Sequence, residues 1–283
     1  CRVRCRKLDG RAPAYSRPIA TGHSAPGRKL WTSPSTSTMP MGTARNTGLD
    51  AVGGDYLLFL DADDLLQPGV LPRAVAAAAS GDLDILQVDF VDRIEDEEGA
   101  LWLAARNRPA KTTASLADSP VLDGPSFLIH VIESGAYRPT VWSYLFRREY
   151  LAARALRFAG MRYHEDAEFV PRALYPAARV RAAAIVTHVH RRRRDSLMTD
   201  GDARNWLDSL EACVGIEGYF SGKDVDPRIR DRFATIIRDR LAGVLHWLDA
   251  HPDRGEVRSR VMERSGRHGL RRSLAAERSP DGR

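Results

Sequence analysis

Cysteine is nearly absent from this 283-residue sequence, which has only Cys1, Cys5 and Cys213. An odd number without metal-type spacing supports neither a disulfide framework nor a zinc site, and a reducing cytoplasm fits it best. No stretch approaches the roughly 18 consecutive apolar residues of a membrane helix, and the arginine-rich start has no apolar signal-peptide core. Lysine is scarce as well, at Lys7, Lys29, Lys111 and Lys223 only. What is present, 43% hydrophobic and 28% charged residues, supports a packed core. The net charge of +6 is concentrated: residues 1–42 hold eight Lys and Arg against Asp9 alone, and the rest of the chain is close to neutral. That body lacks the basic footprint that phosphate-backbone binding requires, so nucleic acid is not an expected partner.

Residues 1–42 contain 18 Gly, Pro, Ser or Thr and no apolar periodicity, and they read as a disordered or non-native segment. From Gly42 the pattern changes. A short helix is expected around Thr43–Leu49, a buried strand over Asp55–Leu60, a helix over Pro68–Ala79 and a strand over Asp84–Val91. Residues 92–120 read as a surface excursion. Asp123-Gly-Pro125 should cap a helix reaching about Glu133, followed by a strand over Thr140–Arg147 and a short helix near Tyr150–Ala155. Glu165–Tyr175 reads as a helix with acids in its first turn, and Val180–Val189 as a strand. Two helices are expected beyond Asp200. The second has one apolar face, Ile229, Phe233, Ile236, Ile237, Leu241, Val244, Leu245 and Leu248. After Pro252, nine Arg and five acids suggest a solvated, flexible end. The expected division is therefore 1–42, a catalytic unit over 43–200, C-terminal helices over 201–250 and a basic tail over 251–283.

The strongest local signal is Asp61-Ala-Asp63-Asp64 directly after the apolar run Tyr56–Leu60. Carboxylates at the C-terminal edge of a strand can hold a hard divalent cation bridging a diphosphate. A plainer reading makes Asp63 or Asp64 the N-cap of the next helix. Ala44-Arg45-Asn46-x-Gly48-Leu49 stands upstream, and the whole run GTARNTGLDAVGGDYLLFLDADD resembles the signature of family 2 glycosyltransferases. The resemblance implies an α/β, GT-A type nucleotide-sugar transferase fold, a mixed and mostly parallel sheet flanked by helices, incomplete at the N-terminus and carrying a C-terminal helical annex. It further implies that Asp61 contacts the donor, that Asp63, with Asp61, holds Mn2+ or Mg2+, and that Arg45 helps hold the nucleotide. For Arg45 the plainer reading is a salt bridge to a neighbouring acid.

A second region continues the likeness: Trp142-Ser-Tyr-Leu-Phe-Arg147, Arg157-Phe158, and His164-Glu165-Asp166-Ala-Glu168-Phe169. It resembles the acceptor half of the same family, which implies Asp166 as general base and Glu165 as a positioning or acceptor-binding neighbour. Taken alone, these acids would read as complements to a helix dipole. Trp142 would stack on an acceptor sugar or fill the core, the core being the better expectation. The block 188-HVHRRRRDSLMT-199 resembles the family's segment after its last sheet strand, which implies that Arg191 to Arg194, Arg193 first among them, close over the diphosphate and that His188 or His190 joins the metal; a solvated basic loop is an equally good reading of these arginines.

The implied reaction displaces a nucleoside diphosphate, UDP being the leading choice, from an anomeric carbon. It needs a base for the acceptor proton and positive charge for the leaving group. No second carboxylate nucleophile stands out, so inversion is expected. The expected acceptor is a saccharide or lipid-linked acceptor in cell-surface polysaccharide synthesis, with peripheral contact to the inner membrane face conceivable. The strands with which the family seats the nucleobase have no counterpart in residues 1–42, which keeps open a non-catalytic binding module and leads us to expect weak donor binding. A haloacid dehalogenase-type phosphatase also places Asp-x-Asp after a strand, but it wants Thr or Val where Leu65 stands and a downstream catalytic lysine.

Overall fold

The computed structural model describes residues 4–5, 31–32, 39–94, 116–192, 203–251 and 255–267. Its centre is a five-stranded mixed sheet in the order β3-β6-β5-β7-β4. These strands are β3 (Tyr56–Leu58), β4 (Leu65–Leu66), β5 (Ile85–Ile94), β6 (Tyr144–Arg147) and β7 (Val180–Arg192). β5 and β7 pair in parallel, whereas β3–β6, β5–β6 and β4–β7 are antiparallel. The expected preponderance of parallel pairing is thus not found among the described strands, because β6 and β4 enter as antiparallel neighbours. A separate two-residue pair, β1 (Arg4–Cys5) with β2 (Trp31–Thr32), lies in the segment for which no strand was expected.

β5 has the sequence of a strand covered on both faces, and Ile85 to Phe90 are all buried. Its alternating side chains feed two cores. Ile85 and Phe90 point into a large one shared with Phe127, Phe146, Phe169, Leu210 and Phe233, while Leu86 and Val88 meet Ala74, Ala78 and Leu145 in a smaller one. Helix α2 (Val70–Ser80) covers the small core with Ala74 and Ala78, both fully buried. The large core lies beneath α1 (Met41–Ala51), α3 (Gly124–Glu133), α4 (Arg148–Ala153), α5 (Glu165–Leu174), α6 (Ala203–Phe220) and α7 (Pro227–Ala250). Each fully buried Phe or Leu there contributes about 1.5–3 kcal/mol of transfer free energy.

Local chemistry accounts for several boundaries. Asp123 caps α3 as expected, its Oδ1 accepting from the Ser126 amide at 2.8 Å. The sheet pairing of β3 stops at Leu58, because Phe59 and Leu60 turn into the interior, 3% and 7% exposed. α2 is entered through Gly69 at φ 70°, a left-handed position that suits glycine, so neither Asp63 nor Asp64 caps it. The strand expected from Thr140 begins as a 3-10 turn over Val141–Ser143.

The apolar face read into α7 is present: Ile229, Phe233, Ile237, Leu241, Val244 and Leu248 are buried, together with Trp247. The end of the chain is not wholly solvated. Helix α8 (Gly255–Arg267) docks on α6 with Val261 at 1% exposure and Val257 one turn before it, an i, i+4 apolar pair outweighed in composition by arginine. Arg258 fastens α8 by donating to the Leu248 carbonyl at 3.1 Å.

Candidate functional site

Gly42 decides where α1 sits. A Cβ there would lie 1.8 Å from the Ala159 carbonyl oxygen, and the glycine amide instead donates to Met161 O at 3.0 Å. This close approach brings Arg45, one turn later, against the start of α5. Asn46 completes the junction reciprocally, donating from Nδ2 to Phe158 O at 2.9 Å and accepting from Phe158 N at 2.9 Å. Sequence reasoning passed over Asn46; its position inside the Ala44–Leu49 motif was the available signal.

Arg45 is 1% exposed and lies beside the edge-to-face pair of Phe59 and Phe158, 5.9 and 5.7 Å from their centroids. Its Nη2 lies 3.0 Å from Asp61 Oδ1 and its Nη1 2.7 Å from Glu165 Oε1. One guanidinium therefore joins the acidic turn after β3 to the acidic start of α5. These distances show the salt-bridge reading of Arg45. Burial disfavours its charge, but Glu165, Asp61 and Asp166 outweigh that and raise its pKa above the ordinary value.

The three carboxylates differ. Glu165 is 1% exposed, and burial, opposed by Arg45, pushes its pKa up to about 8. Asp166 is half-buried with its Oδ1 accepting from the Ala167 amide at 2.7 Å; burial again raises its pKa, with Arg45 in opposition. Asp61 keeps 22% of its side chain exposed at the mouth of the turn.

The acidic turn runs between β3 and β4, closed by the Asp64 amide donating to Asp61 O at 3.1 Å. β4, which was not anticipated, pairs Leu65 with Val189 and Leu66 with His188, fixing the far side of the turn to β7. Asp64 turns inward: it is 4% exposed, accepts from the Arg191 amide at 3.1 Å and leaves Oδ2 buried without a hydrogen-bond donor. Burial pushes its carboxyl up to about 7. Arg191 also donates through Nη1 to the Asp63 carbonyl at 3.3 Å, so the first arginine of the basic run meets the acidic turn. Arg193, the chosen candidate, lies outside the described residues.

The histidines and tryptophan are placed inward. His188 is fully buried, with Nε2 3.2 Å from Phe59 O and Nδ1 2.7 Å from Thr187 Oγ1, so both ring nitrogens already have protein partners and none is left for a metal. His190 directs Nδ1 to Asp92 Oδ1 at 2.9 Å. Trp142, 5% exposed, fills the core against Phe90 at 4.7 Å and His190 at 5.2 Å. It is thus not on an open surface where a sugar would stack.

As a donor set for a cation, Asp61 and Asp63 offer hard carboxylate oxygens of the kind Mg2+ and Mn2+ prefer. Among the described residues no three His, Cys, Asp or Glu surround a common point. The turn therefore fits an ion that brings further ligands with its substrate, and does not fit one enclosed by protein.

Comparison with known proteins follows the same lines. Residues 37–131 match the family described as Glycosyl transferase family 2. The chain is 28% identical over 138 residues to the "Uncharacterized glycosyltransferase YibD" of Escherichia coli (strain K12), covering 49% of this chain and 38% of that protein. It is 29% identical over 161 residues to the "Uncharacterized glycosyltransferase EpsJ" of Bacillus subtilis (strain 168), covering 56% and 43%. The chain thus spans about two-fifths of the length of these curated relatives. Among solved structures it resembles S. aureus TarS 1-349 in complex with UDP-GlcNAc, with a TM-score of 0.52, 18% identity, and coverage of 71% of this chain and 52% of that one. The same protein in complex with UDP gives a TM-score of 0.50 at 17% identity.

Proposed function

We propose that this chain, whose residues 37–131 match glycosyl transferase family 2 and which has the GT-A type fold of nucleotide-sugar transferases, moves a sugar from a nucleotide-diphosphate donor to an acceptor hydroxyl with inversion. The observation that carries this reading is the Arg45 bridge, which draws Asp61 and Glu165, from opposite halves of the motif pattern, to one guanidinium. UDP is the favoured nucleotide, supported by the likeness to a fold that takes up UDP-GlcNAc in TarS. A saccharide or lipid-linked acceptor in surface polysaccharide synthesis is the favoured partner; among the described residues no helix is long and apolar enough to cross a membrane.

In the reaction, Asp166 accepts the proton of the acceptor hydroxyl as its oxygen attacks the anomeric carbon. The bond from that carbon to the diphosphate breaks, with the electron pair leaving on the diphosphate. Glu165, held by Arg45, keeps the start of α5 facing the acidic turn. Asp61, partly exposed beside the same guanidinium, meets the donor sugar. Asp63 and Asp61 would hold Mn2+ or Mg2+, whose charge would stabilise the departing diphosphate. The alternative phosphatase needs a lysine near the acids; of the two downstream lysines, Lys223 lies on the turn after α6 with its ammonium on the Tyr219 carbonyl, and Lys111 lies outside the described residues.

Calorimetric titration of UDP with Mn2+ into the chain and into Asp63→Ala tests the donor half. Metal-dependent binding that the substitution removes is expected, and binding indifferent to both metal and substitution would overturn the reading.

A further inference from the structure

His164, immediately before the Glu165–Asp166 pair, sits in the left-handed region at φ 60° and ψ 12°. A side chain there is strained unless its surroundings hold it. Two helices of the C-terminal annex do so. The His164 Nε2 lies 2.7 Å from Asn205 Oδ1 on α6, and its Nδ1 3.1 Å from Arg240 Nη1 on α7. A guanidinium can only donate, so Nδ1 accepts and the ring is the neutral Nε2–H tautomer donating to Asn205. Burial and then the Arg240 charge push the ring's pKa down to about 4, consistent with that tautomer.

Arg240 also donates to Ser209 Oγ at 3.4 Å, which fixes it to α6 as well. Its charge reaches the base: burial raises the pKa of Asp166, and Arg45 and Arg240 both act against it, while Asp61 reinforces it. Tyr137, buried against Phe233 of α7, feels Arg240 and Asp166 together. The start of α5 is therefore held from two sides, by Arg45 of α1 through Glu165 and by Arg240 of α7 through His164.

We infer that the α6–α7 annex is a working part of the transfer site, with Arg240 a positioning residue that acts through His164 to set the direction of the Glu165–Asp166 pair. This rests on the transferase reading above, in which Asp166 is the base. Without the Arg240 donor the left-handed cap loses one of its two anchors, and His164 can relax toward a helical conformation that turns Asp166 with it.

The test compares Arg240→Met and Arg240→Lys in the full chain. Two NMR signals need no substrate: the imidazole nitrogens of His164, assigned by their loss in His164→Asn, and the Ala167 amide, which is bonded to Asp166. In Arg240→Met both signals should shift, and Arg240→Lys, which keeps a cationic donor, should restore them. Release of UDP from UDP-GlcNAc should show kcat falling by up to about 100-fold in Arg240→Met with donor KM unchanged. Unchanged ring and amide signals in Arg240→Met, or a loss confined to donor KM, would overturn the inference. A parent chain that releases no UDP counts against the transferase reading, and the two NMR signals still decide whether Arg240 sets the pair. Should Arg240→Met fail to fold, Asn205→Ala frees the other ring nitrogen and is read the same way.

Discussion

Arg45 Nη1 lies 2.7 Å from Glu165 Oε1 with both side chains almost fully enclosed, at 1% and 2% exposure. A pair this deep is costly to break from one side, because the surviving carboxylate stays buried without its counter-charge. Above pH 8, where Glu165 is ionised, Arg45→Met is expected to lose about 3–5 kcal/mol in urea unfolding, and Mn2+-dependent UDP binding with it. Stability within about 1 kcal/mol of the parent would mean the bridge is replaceable.

Protonation gives a second expectation. Burial raises Glu165 to about 8 and Asp64 to about 7. Above the ordinary carboxylate range the unfolded chain has released protons that the folded chain keeps. Stability contributed by these groups is therefore full at low pH and lost as pH rises toward 7 and 8, by up to about 1.4 kcal/mol per pH unit per group. His164 and His188, both lowered to about 4, have the opposite sign, costing stability as pH falls below about 6.5. Unfolding of Asp64→Asn across pH 6 to 8 isolates one contribution, since a carboxamide does not titrate. Its decline should be shallower than the parent's, and an equal slope would remove Asp64 from the account.

Two glycines separate close approach from mere flexibility. At Gly42 an added methyl meets a backbone carbonyl at 1.8 Å, so Gly42→Ala must push α1 away from the Ala159–Met161 turn. It is expected to cost about 1–3 kcal/mol and to weaken UDP binding by displacing Arg45. At Gly218, within α6, nothing lies within 4 Å, and Gly218→Ala is expected to gain about 0.5–1 kcal/mol. Thermal unfolding of the two variants should move in opposite directions.

The third helix of the annex rests on little apolar area, with Val261 its main anchor at 1% exposure. Val261→Asp should release α8 without unfolding the sheet, seen as faster amide exchange confined to residues 255–267. A global fall in stability matching that of a core substitution would show that α8 is integral to the fold.

How much was legible in the sequence depended on how far each interaction reaches. The Asp123 cap is settled within three residues, and the α7 face within one helix, so both could be read directly. Arg45, Asp61, Glu165 and Asp166 were reachable because they stand in ordered motifs, although no spacing announces that one guanidinium spans two of them. β4 escaped notice because two leucines form a strand only where β7 offers an edge. For Asp64 the sequence offered only a place in the acidic motif or, as an alternative shared with Asp63, a helix cap, since nothing local reveals that it turns inward toward the Arg191 amide. Asn205 and Arg240 carry no motif at all; they matter only because α6 and α7 fold back to His164.

The order of pairing in the sheet also bears on synthesis. Tyr56 finds its partner in Arg147, Ile85 in Val180, and Leu65 in Val189. The acidic turn is thus translated early but acquires its flanking neighbours only after β6 and β7 have left the ribosome. Such non-local closure makes folding slow and leaves the apolar run Tyr56–Leu60 without its sheet partner in the nascent chain until β6 has emerged. That interval is when a holdase chaperone would have most to protect.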